Sequence, residues 1–342
     1  MIFPITEHVA KRNDHTSFYL TCGATDAPLI IFVHGWPDLS IGWRHQLPVF
    51  AALGFRAIAP DMRGYGRSTV YTRHEDYAVQ HAVPDMLALL QSLGRDKALW
   101  VGHDWGSPVV WSLASHHPER CVGIANLCVP YLPEGFAPRI LAPLVDRTVY
   151  PEEQVPAGQW DYQLLYEEKF DRARFSQEAD IAATVRALFP QGDPANVGKP
   201  APTAFARKSG DFFRGLGRAP DSPLDTSVMT DADCCAYVAA FERSGFFGPD
   251  SWYMSAASNI EYAKQARDGG TLSLPALFLH GTYDFVCETT ANSRFADPMR
   301  KPCSNLTEVY IKSGHSMAQE QPVAVDRALA RFIAEKRPRL LS

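Results

Sequence analysis

Short apolar runs alternate with helix-like segments along the first 130 residues, and this alternation constrains the fold more than any other sequence feature. Strands are predicted at four apolar runs, namely residues 29–33, 55–61, 98–102 and 122–129. Between two of these runs apolar residues recur at helical spacing, at Val83, Met86, Leu87, Leu90 and Leu93. Strands that alternate with helices form β-α-β units, so the chain is predicted to build an α/β fold with a mostly parallel sheet flanked by helices.

The pattern changes over residues 131–255. This segment is rich in Pro, Phe, Tyr and Arg, and Pro and Gly breaks separate its helical patterns. Strand-like runs return at residues 274–281 and 306–311. We therefore predict an α/β core domain made of residues 1–130 and 256–342, interrupted by an inserted helical domain at 131–255.

Composition and charge exclude several classes of function. Charged residues make up 21% of the 342 residues and the formal net charge is −5, which gives no reason to expect a nucleic-acid partner. No stretch approaches the roughly 18 apolar residues of a membrane span, and the first residues lack the pattern of a secretion signal. The odd number of cysteines, 7, argues against a disulfide framework. We expect a cytoplasmic monomer or homodimer with no membrane partner.

The segment Gly102-His103-Asp104-Trp105-Gly106 lies between a predicted strand and a predicted helix. A nucleophile between small residues at such a sharp turn forms a nucleophile elbow. The central residue of an elbow is usually Ser, and here it is Asp104. A carboxylate with a reference pKa of about 4 is ionised at neutral pH and attacks without a base. Asp104 is the predicted catalytic nucleophile, with capping of the following helix as the alternative.

The type of nucleophile limits the reaction. An alkyl group transferred to Asp forms an ester, which water can cleave at the Asp carbonyl when a base activates it. The same transfer to Ser would form an ether, which water does not easily cleave. Asp104 therefore suits substrates with a saturated electrophilic carbon, such as an epoxide or an alkyl halide.

A base and its orienting acid are predicted after the last two strands. Asp284 follows one strand-like run and His315 follows the next. The order nucleophile, acid, histidine is that of the α/β-hydrolases. In this arrangement Asp284 orients the imidazole ring, and His315 takes a proton from the water that cleaves the ester.

Two tryptophans are candidates for stabilising the oxyanion of ester cleavage, which needs backbone N–H donors. Trp105 directly follows the nucleophile, and Trp36 follows the His34-Gly35 pair. A proline follows Trp36, so a tight turn with a cis peptide bond is plausible there. Both indole rings are candidates for pocket walls, and the alternative is a purely structural role in the core.

Three motifs resemble those of the soluble epoxide hydrolases of the α/β-hydrolase fold, namely HGWPD at 34–38, DMRGYGRS at 61–68 and GHDWG at 102–106. The resemblance covers nearly the whole chain and is strongest over residues 29–130. It implies that the inserted segment is a helical cap over the active site. It further implies conversion of an apolar epoxide and water to a vicinal diol through an ester on Asp104, in detoxification or in catabolism.

The resemblance also implies two cap tyrosines that protonate the epoxide oxygen. Residues 161–164 and 251–254 look like the segments that carry them, which makes Tyr162 and Tyr253 the candidate general acids. Tyr166 lies four residues after Tyr162 and can face the same side of a helix, so it remains an alternative to Tyr162. No cofactor and no metal are expected.

A haloalkane dehalogenase is the nearest alternative, because it resembles this chain in fold, Asp nucleophile and the following Trp. The indole N–H of Trp105 can donate to a halide, but halide departure needs no proton, whereas epoxide opening does. Trp36 stands where many dehalogenases have an Asn that holds the halide. A binding protein on an inactive hydrolase fold is a second alternative, and a complete set of Asp104, Asp284 and His315 argues against it.

Overall fold

The computed structural model describes residues 3–291 and 293–340, and for Ser293 and residues 337–340 it describes the backbone alone. The two ends of the predicted core domain, residues 1–2 and 341–342, lie outside the described residues. No helix of the described part combines the length and the apolar character needed to cross a bilayer.

The described strands form a mostly parallel sheet of eight strands. Their order across the sheet is β1-β2-β4-β3-β5-β6-β7-β8, in which β1 with β2 and β2 with β4 are antiparallel and the other neighbours are parallel. The strands are β1 (Thr6–Arg12), β2 (His15–Cys22), β3 (Leu29–Val33), β4 (Arg56–Pro60), β5 (Ala98–His103), β6 (Cys121–Leu127), β7 (Ala276–Gly281) and β8 (Leu306–Ile311).

Helices cover the sheet and form the inserted segment. The α-helices are α1 (Gln46–Ala52), α2 (Val79–Ser92), α3 (Gly106–His116), α4 (Pro138–Leu141), α5 (Asp161–Glu178), α6 (Ile181–Leu188), α7 (Ala206–Ser209), α8 (Asp231–Ser244), α9 (Phe247–Ser251), α10 (Ala256–Ala263), α11 (Asp297–Arg300), α12 (Met317–Glu320) and α13 (Pro322–Leu340). Short 3-10 helices lie at Ser40–Trp43, His74–Tyr77, Pro118–Arg120, Ala142–Leu144, Gly158–Trp160, Pro194–Asn196, Pro202–Phe205, Trp252–Met254, Arg267–Gly270 and Ser293–Phe295.

The six strands predicted from apolar runs are all present, as β3 to β8. All five residues of β3 and all six of β5 are buried, because helices cover both faces of a parallel sheet. The sequence pattern does not predict β1 and β2. β1 is exposed along nearly its whole length, so it lacks the alternating buried face by which a strand is recognised.

The inserted segment of residues 131–255 contains only helices and turns between β6 and β7. α6 packs against α8, and α9 and the 3-10 helix Trp252–Met254 pack against the core 3-10 helix His74–Tyr77. The next helix, α10, packs against α2 of the core. The inserted segment therefore lies over the edge of the sheet at which the parallel strands have their carboxyl ends.

Candidate active site

Asp104 stands at a sharp turn between β5 and α3. Its φ is +49°, a value that residues with a side chain seldom adopt, and its main-chain oxygen accepts a 2.9 Å hydrogen bond from the amide of Ser107. The neighbouring strands leave no room for side chains at the flanking glycines. A Cβ on Gly106 would lie 2.1 Å from the carbonyl oxygen of Val33, and one on Gly102 would lie 2.6 Å from Asn126 Oδ1. The turn has the geometry of the predicted elbow.

The two carboxylate oxygens of Asp104 have different partners. Oδ1 accepts a 2.6 Å hydrogen bond from the amide of Trp36, and Oδ2 lies 3.6 Å from Nε2 of His315. Burial raises the pKa of Asp104, but the hydrogen bond and charge of His315, together with the Trp36 amide, outweigh burial and lower it. Asp104 is therefore ionised at neutral pH although it is only 6% exposed.

His315, which is partly buried, pairs with the buried Asp284 beside Asp104. Nδ1 of His315 donates to Oδ2 of Asp284 over 2.9 Å, and the amides of Val286 and Cys287 donate to Oδ1 of Asp284 over 3.0 and 2.9 Å. Burial lowers the pKa of His315, but the charge of Asp284 and the hydrogen bonds to Asp104 and Asp284 raise it well above its ordinary value. The structure thus brings together the three residues predicted from separate strand ends.

The loop after β3 faces the carboxyl group of Asp104. A Cβ on Gly35 would stand 2.4 Å from both Oδ1 of Asp104 and the amide nitrogen of Trp105. Both atoms therefore lie close to the main chain of Gly35. The Trp36-Pro37 peptide bond is cis, as considered from the sequence. The predicted oxyanion donors, the amides of Trp36 and Trp105, thus both lie near Oδ1 of Asp104.

Tyr162 and Tyr253 reach the site from the inserted segment. Tyr162 is in the first turn of α5, and its hydroxyl donates to that of Tyr253 over 3.4 Å. Burial raises the pKa of both phenols, with a contribution from the charge of Asp104. Tyr166, the alternative to Tyr162, stacks on Tyr253 at a centroid distance of 4.8 Å, and its hydroxyl accepts from Gln177 over 2.9 Å.

One cavity of about 480 Å³ contacts both tyrosines, Asp104 and His315. Much of the rest of its wall is apolar, and includes Trp36, Ala187, Leu188, Phe212, Phe213 and Val286. Tyr166 is not among the described residues that line this cavity. Trp105 lines a separate small cavity with Phe136. Of the two indoles considered as pocket walls, only that of Trp36 lines the cavity that Asp104 borders.

Comparison with known proteins decides the family. A sequence profile described as alpha/beta hydrolase fold matches residues 28–322. Epoxide hydrolase A of Mycobacterium tuberculosis (strain ATCC 25618 / H37Rv) is 32% identical over 336 residues, which cover 96% of this chain and 97% of that protein. The chain belongs to the epoxide hydrolases of the α/β-hydrolase fold. The fold class and the enzyme class predicted from the sequence are confirmed.

Other members of the family match over similar lengths of this enzyme. Bifunctional epoxide hydrolase 2 of Sus scrofa is 30% identical over 308 residues, which cover 90% of this chain and 51% of that longer protein. The crystal structure of epoxide hydrolase A from Mycobacterium thermoresistibile has a TM-score of 0.78 at 30% identity, and covers 97% of this chain and 98% of its own. An epoxide hydrolase from an endophytic Streptomyces has a TM-score of 0.80 at 27% identity, with 98% and 96% covered.

The indole N–H groups of the enzyme do not converge on the cavity as a halide site would require. Nε1 of Trp36 donates to Oδ1 of Asp250 over 2.9 Å, which directs it away from Asp104 and into the inserted segment. Nε1 of Trp105 is buried and has no hydrogen-bond partner within the described residues, and Trp105 does not line the cavity that Asp104 borders. This arrangement does not favour the haloalkane dehalogenase alternative.

Sequence reasoning missed two residues that hold the loop carrying His315. Nε2 of His103 donates to the carbonyl oxygen of His315 over 2.7 Å, and burial first, then the charge of His315, lower the pKa of His103 to about 4. Glu320 accepts from the amides of Gly314 and Ser316 over 2.8 and 3.1 Å. A sequence signal exists for Glu320, which lies four residues after Ser316 and one helical turn away. None exists for His103, because its partner is 212 residues distant.

Two groups of side chains in the described part have the spacing of metal ligands. They are His103, Cys128 and His315, and Asp284, Cys287 and His315. Both groups contain the imidazole of His315, whose nitrogen atoms already face Asp284 and Asp104. The acid-base pair accounts for this cluster, and the expectation of no metal and no cofactor stays a prediction.

Proposed function

We propose that the enzyme converts an apolar epoxide and water to a vicinal diol through a covalent ester on Asp104. One observation carries this proposal. An ionised carboxylate, two protonated phenols and an imidazole that faces the carboxylate all border a single, largely apolar cavity. An epoxide needs a nucleophile for its carbon and an acid for its oxygen at the same time, and the cavity offers both.

The first step opens the epoxide. Oδ2 of Asp104 attacks a ring carbon while the Trp36 amide holds Oδ1, so a C–O bond forms to Asp104 and the ring C–O bond breaks. Tyr162 and Tyr253 donate hydrogen bonds to the ring oxygen, and one of them gives it a proton as it becomes an alkoxide. Because their pKa is raised, both phenols keep their protons until the alkoxide forms.

Ester formation changes the charge around His315. In the free enzyme the charge of Asp284 and the hydrogen bond to Asp104 hold the imidazole protonated against the effect of burial. The ester removes the charge of Asp104, so the imidazolium loses this support and its proton can return to the tyrosinate. His315 is then neutral and able to act as a base.

The second step cleaves the ester. His315 takes a proton from water, and the hydroxide attacks the carboxyl carbon of Asp104. The amides of Trp36 and Trp105 stabilise the oxyanion that forms. The bond between this carbon and the substrate oxygen then breaks, the diol takes the proton of the transient carboxylic acid, and Asp104 is a carboxylate again beside protonated His315.

We also propose that residues 131–255 are a cap domain on a core of residues 1–130 and 256–342. The helical character of the inserted segment supports this division, as does the packing of α10 against the core helix α2. The cap would supply Tyr162 and Tyr253, and the core would supply Asp104, Asp284 and His315. A cytoplasmic location and a monomeric or homodimeric state remain predictions from the sequence.

Two measurements test the proposal. A styrene oxide-type epoxide and a short 1-haloalkane are offered in parallel, and diol and halide are quantified; we expect diol from the epoxide and no halide release. Halide release without diol formation would contradict the proposal. With His315→Gln, which removes the base, the epoxide should convert Asp104 to a stable adduct that adds the substrate mass to the intact protein, and Asp104→Asn in the same background should show none.

A further inference from the structure

A buried carboxyl group joins the inserted segment to the nucleophile loop. Asp250 on α9 is completely buried, and its Oδ1 accepts the 2.9 Å hydrogen bond from the indole of Trp36. The amide of the same Trp36 donates to Asp104. The side chain of Asp250, in the inserted segment, thus hydrogen-bonds the indole of Trp36, and the amide of Trp36 hydrogen-bonds Asp104.

The same carboxyl group also adjoins the tyrosine side of the cavity. The hydroxyl of Tyr166 interacts with Asp250, and the ring of Tyr166 lies nearly parallel to that of Tyr253, at 11°. The edge of the Trp36 ring meets Tyr253 at a centroid distance of 6.0 Å. Asp250 therefore interacts with two aromatic residues, Trp36 and Tyr166, that both pack against Tyr253.

Asp250 has the character of a neutral acid rather than a carboxylate. Burial raises its pKa well above the ordinary value, and the interactions with Trp36 and Tyr166 oppose this only in part. Its second oxygen, Oδ2, has no hydrogen-bond partner within the described residues. Of the charged groups nearby, Glu178 raises the pKa of Asp250 and Arg174 lowers it. A neutral acid can occupy such a buried position without an ion partner, which an isolated carboxylate cannot do at acceptable cost.

We propose that Asp250 is a positioning residue for epoxide opening, which fixes the Trp36 loop and Tyr253 in the relative placement that alkylation of Asp104 requires. The inference rests on the proposed function. Nucleophile and acid belong to different segments of the chain, and both must reach the same three-membered ring. Because displacement of a reacting group by about 1 Å can slow a reaction a hundredfold, a hydrogen bond that joins the two segments has a direct effect on the rate of alkylation.

The test measures adduct formation on Asp104 in the His315→Gln background, in a single turnover followed by intact-protein mass. Asp250→Leu keeps the branched shape of the side chain but removes the acceptor, and we expect alkylation to slow by about tenfold at saturating epoxide. Asp250→Asn keeps a neutral acceptor for Trp36 and should stay within about twofold of the parent. Trp36→Phe removes the donor of the same bond and should slow alkylation as Asp250→Leu does.

A double-mutant cycle and a matched control separate positioning from general stability. If the two groups act through one contact, the Asp250→Leu and Trp36→Phe double variant should be no slower than either single variant. Ser251→Ala removes another hydrogen bond between α9 and the core, the partly buried 2.8 Å contact with His74, and should leave the alkylation rate within about twofold.

An unchanged alkylation rate in folded Asp250→Leu, or in Trp36→Phe if Asp250→Leu does not fold, would overturn the inference. So would an equal loss of rate in Ser251→Ala, since that result means a purely structural role. Failure of the proposed function gives a different result, because the His315→Gln parent itself would then form no adduct with the epoxide.

Discussion

At the scale of single residues, the ionisable groups of the site depend on one another. His315 helps to keep Asp104 ionised despite burial, and Asp104 and Asp284 help to keep His315 protonated. In the proposed mechanism Asp104 is therefore ready to attack in the free enzyme, whereas His315 becomes available as a base only after the ester has formed. This order suits a two-step reaction, because the base cannot act before there is an ester to cleave.

The phenol of Tyr253 should control the first step. Tyr253→Phe removes one proton donor to the epoxide oxygen, and we expect single-turnover alkylation of Asp104 to slow by about 10²-fold or more. Tyr162→Phe should act in the same direction. Rapid-quench measurement of epoxide consumption checks both.

Tyr150→Phe is the matched control for these variants. Tyr150 is a buried tyrosine of the inserted segment whose hydroxyl accepts from the amide of Ala201, outside the cavity. Its loss should leave the alkylation rate nearly unchanged. Equal rates for Tyr253→Phe, Tyr162→Phe and Tyr150→Phe would remove the tyrosine pair from the mechanism.

The sequence predicts site residues that are recognised by their position directly after a strand. It does not predict residues whose role depends on contacts with distant parts of the chain. Asp104, Asp284 and His315 each follow a strand, so their convergence could be predicted from strand order. The choice between Tyr162 and Tyr166 could not be made, since both lie on one helix and only the packing places Tyr162 on the cavity. Asp250 has no sequence signal, because its partner Trp36 is 214 residues away.

At the scale of secondary-structure elements, the carboxyl ends of the parallel strands determine where the chemistry lies. Trp36 follows β3, Asp104 follows β5, Asp284 follows β7 and His315 follows β8. Buried parallel strands read as continuous apolar runs, and for this reason β3 to β7 were predictable. β1 was not, because an exposed edge strand has no apolar face to recognise.

The elbow should tolerate no side chain at Gly106. A Cβ there meets the main-chain carbonyl of Val33, which cannot move without disturbing β3, so Gly106→Ala should lower the free energy of unfolding by more than about 3 kcal/mol. Denaturant unfolding measures this loss. Gly54→Ala is the control, because a Cβ there meets nothing within 4 Å and costs only the strain of a positive φ, about 1 kcal/mol. Equal losses in the two variants would contradict the steric account.

At the scale of the whole molecule, the cavity belongs to both parts of the chain. Asp104 and His315 line it from outside the inserted segment, and the inserted segment contributes Tyr162, Tyr253 and much of the apolar wall. Epoxide opening thus depends on how the two parts meet, whereas ester cleavage draws mainly on the core. Variants at the contact between the parts should accordingly affect alkylation more than hydrolysis.

The steady-state amount of ester should depend on pH. Asp104 stays ionised in mildly acidic solution because its pKa is lowered, so alkylation continues there. Protonation of His315 in the ester stops hydrolysis, so the esterified fraction should rise as pH falls from about 9 to about 5. Acid quenching and intact-protein mass measure this fraction, and it should be independent of pH in His315→Gln. A wild-type fraction that rises with pH would contradict the assignment of His315 as the base.

The central claim is that the oxygen added to the substrate comes first from Asp104 and only later from water. A single turnover in water labelled with heavy oxygen, with enzyme in excess over epoxide, tests it most directly. We predict that the first diol carries no label and that the label enters the carboxyl group of Asp104, which mass spectrometry of the peptide containing residue 104 detects. Labelled diol in this first turnover, with an unlabelled Asp104, would mean direct attack by water and would contradict the covalent mechanism.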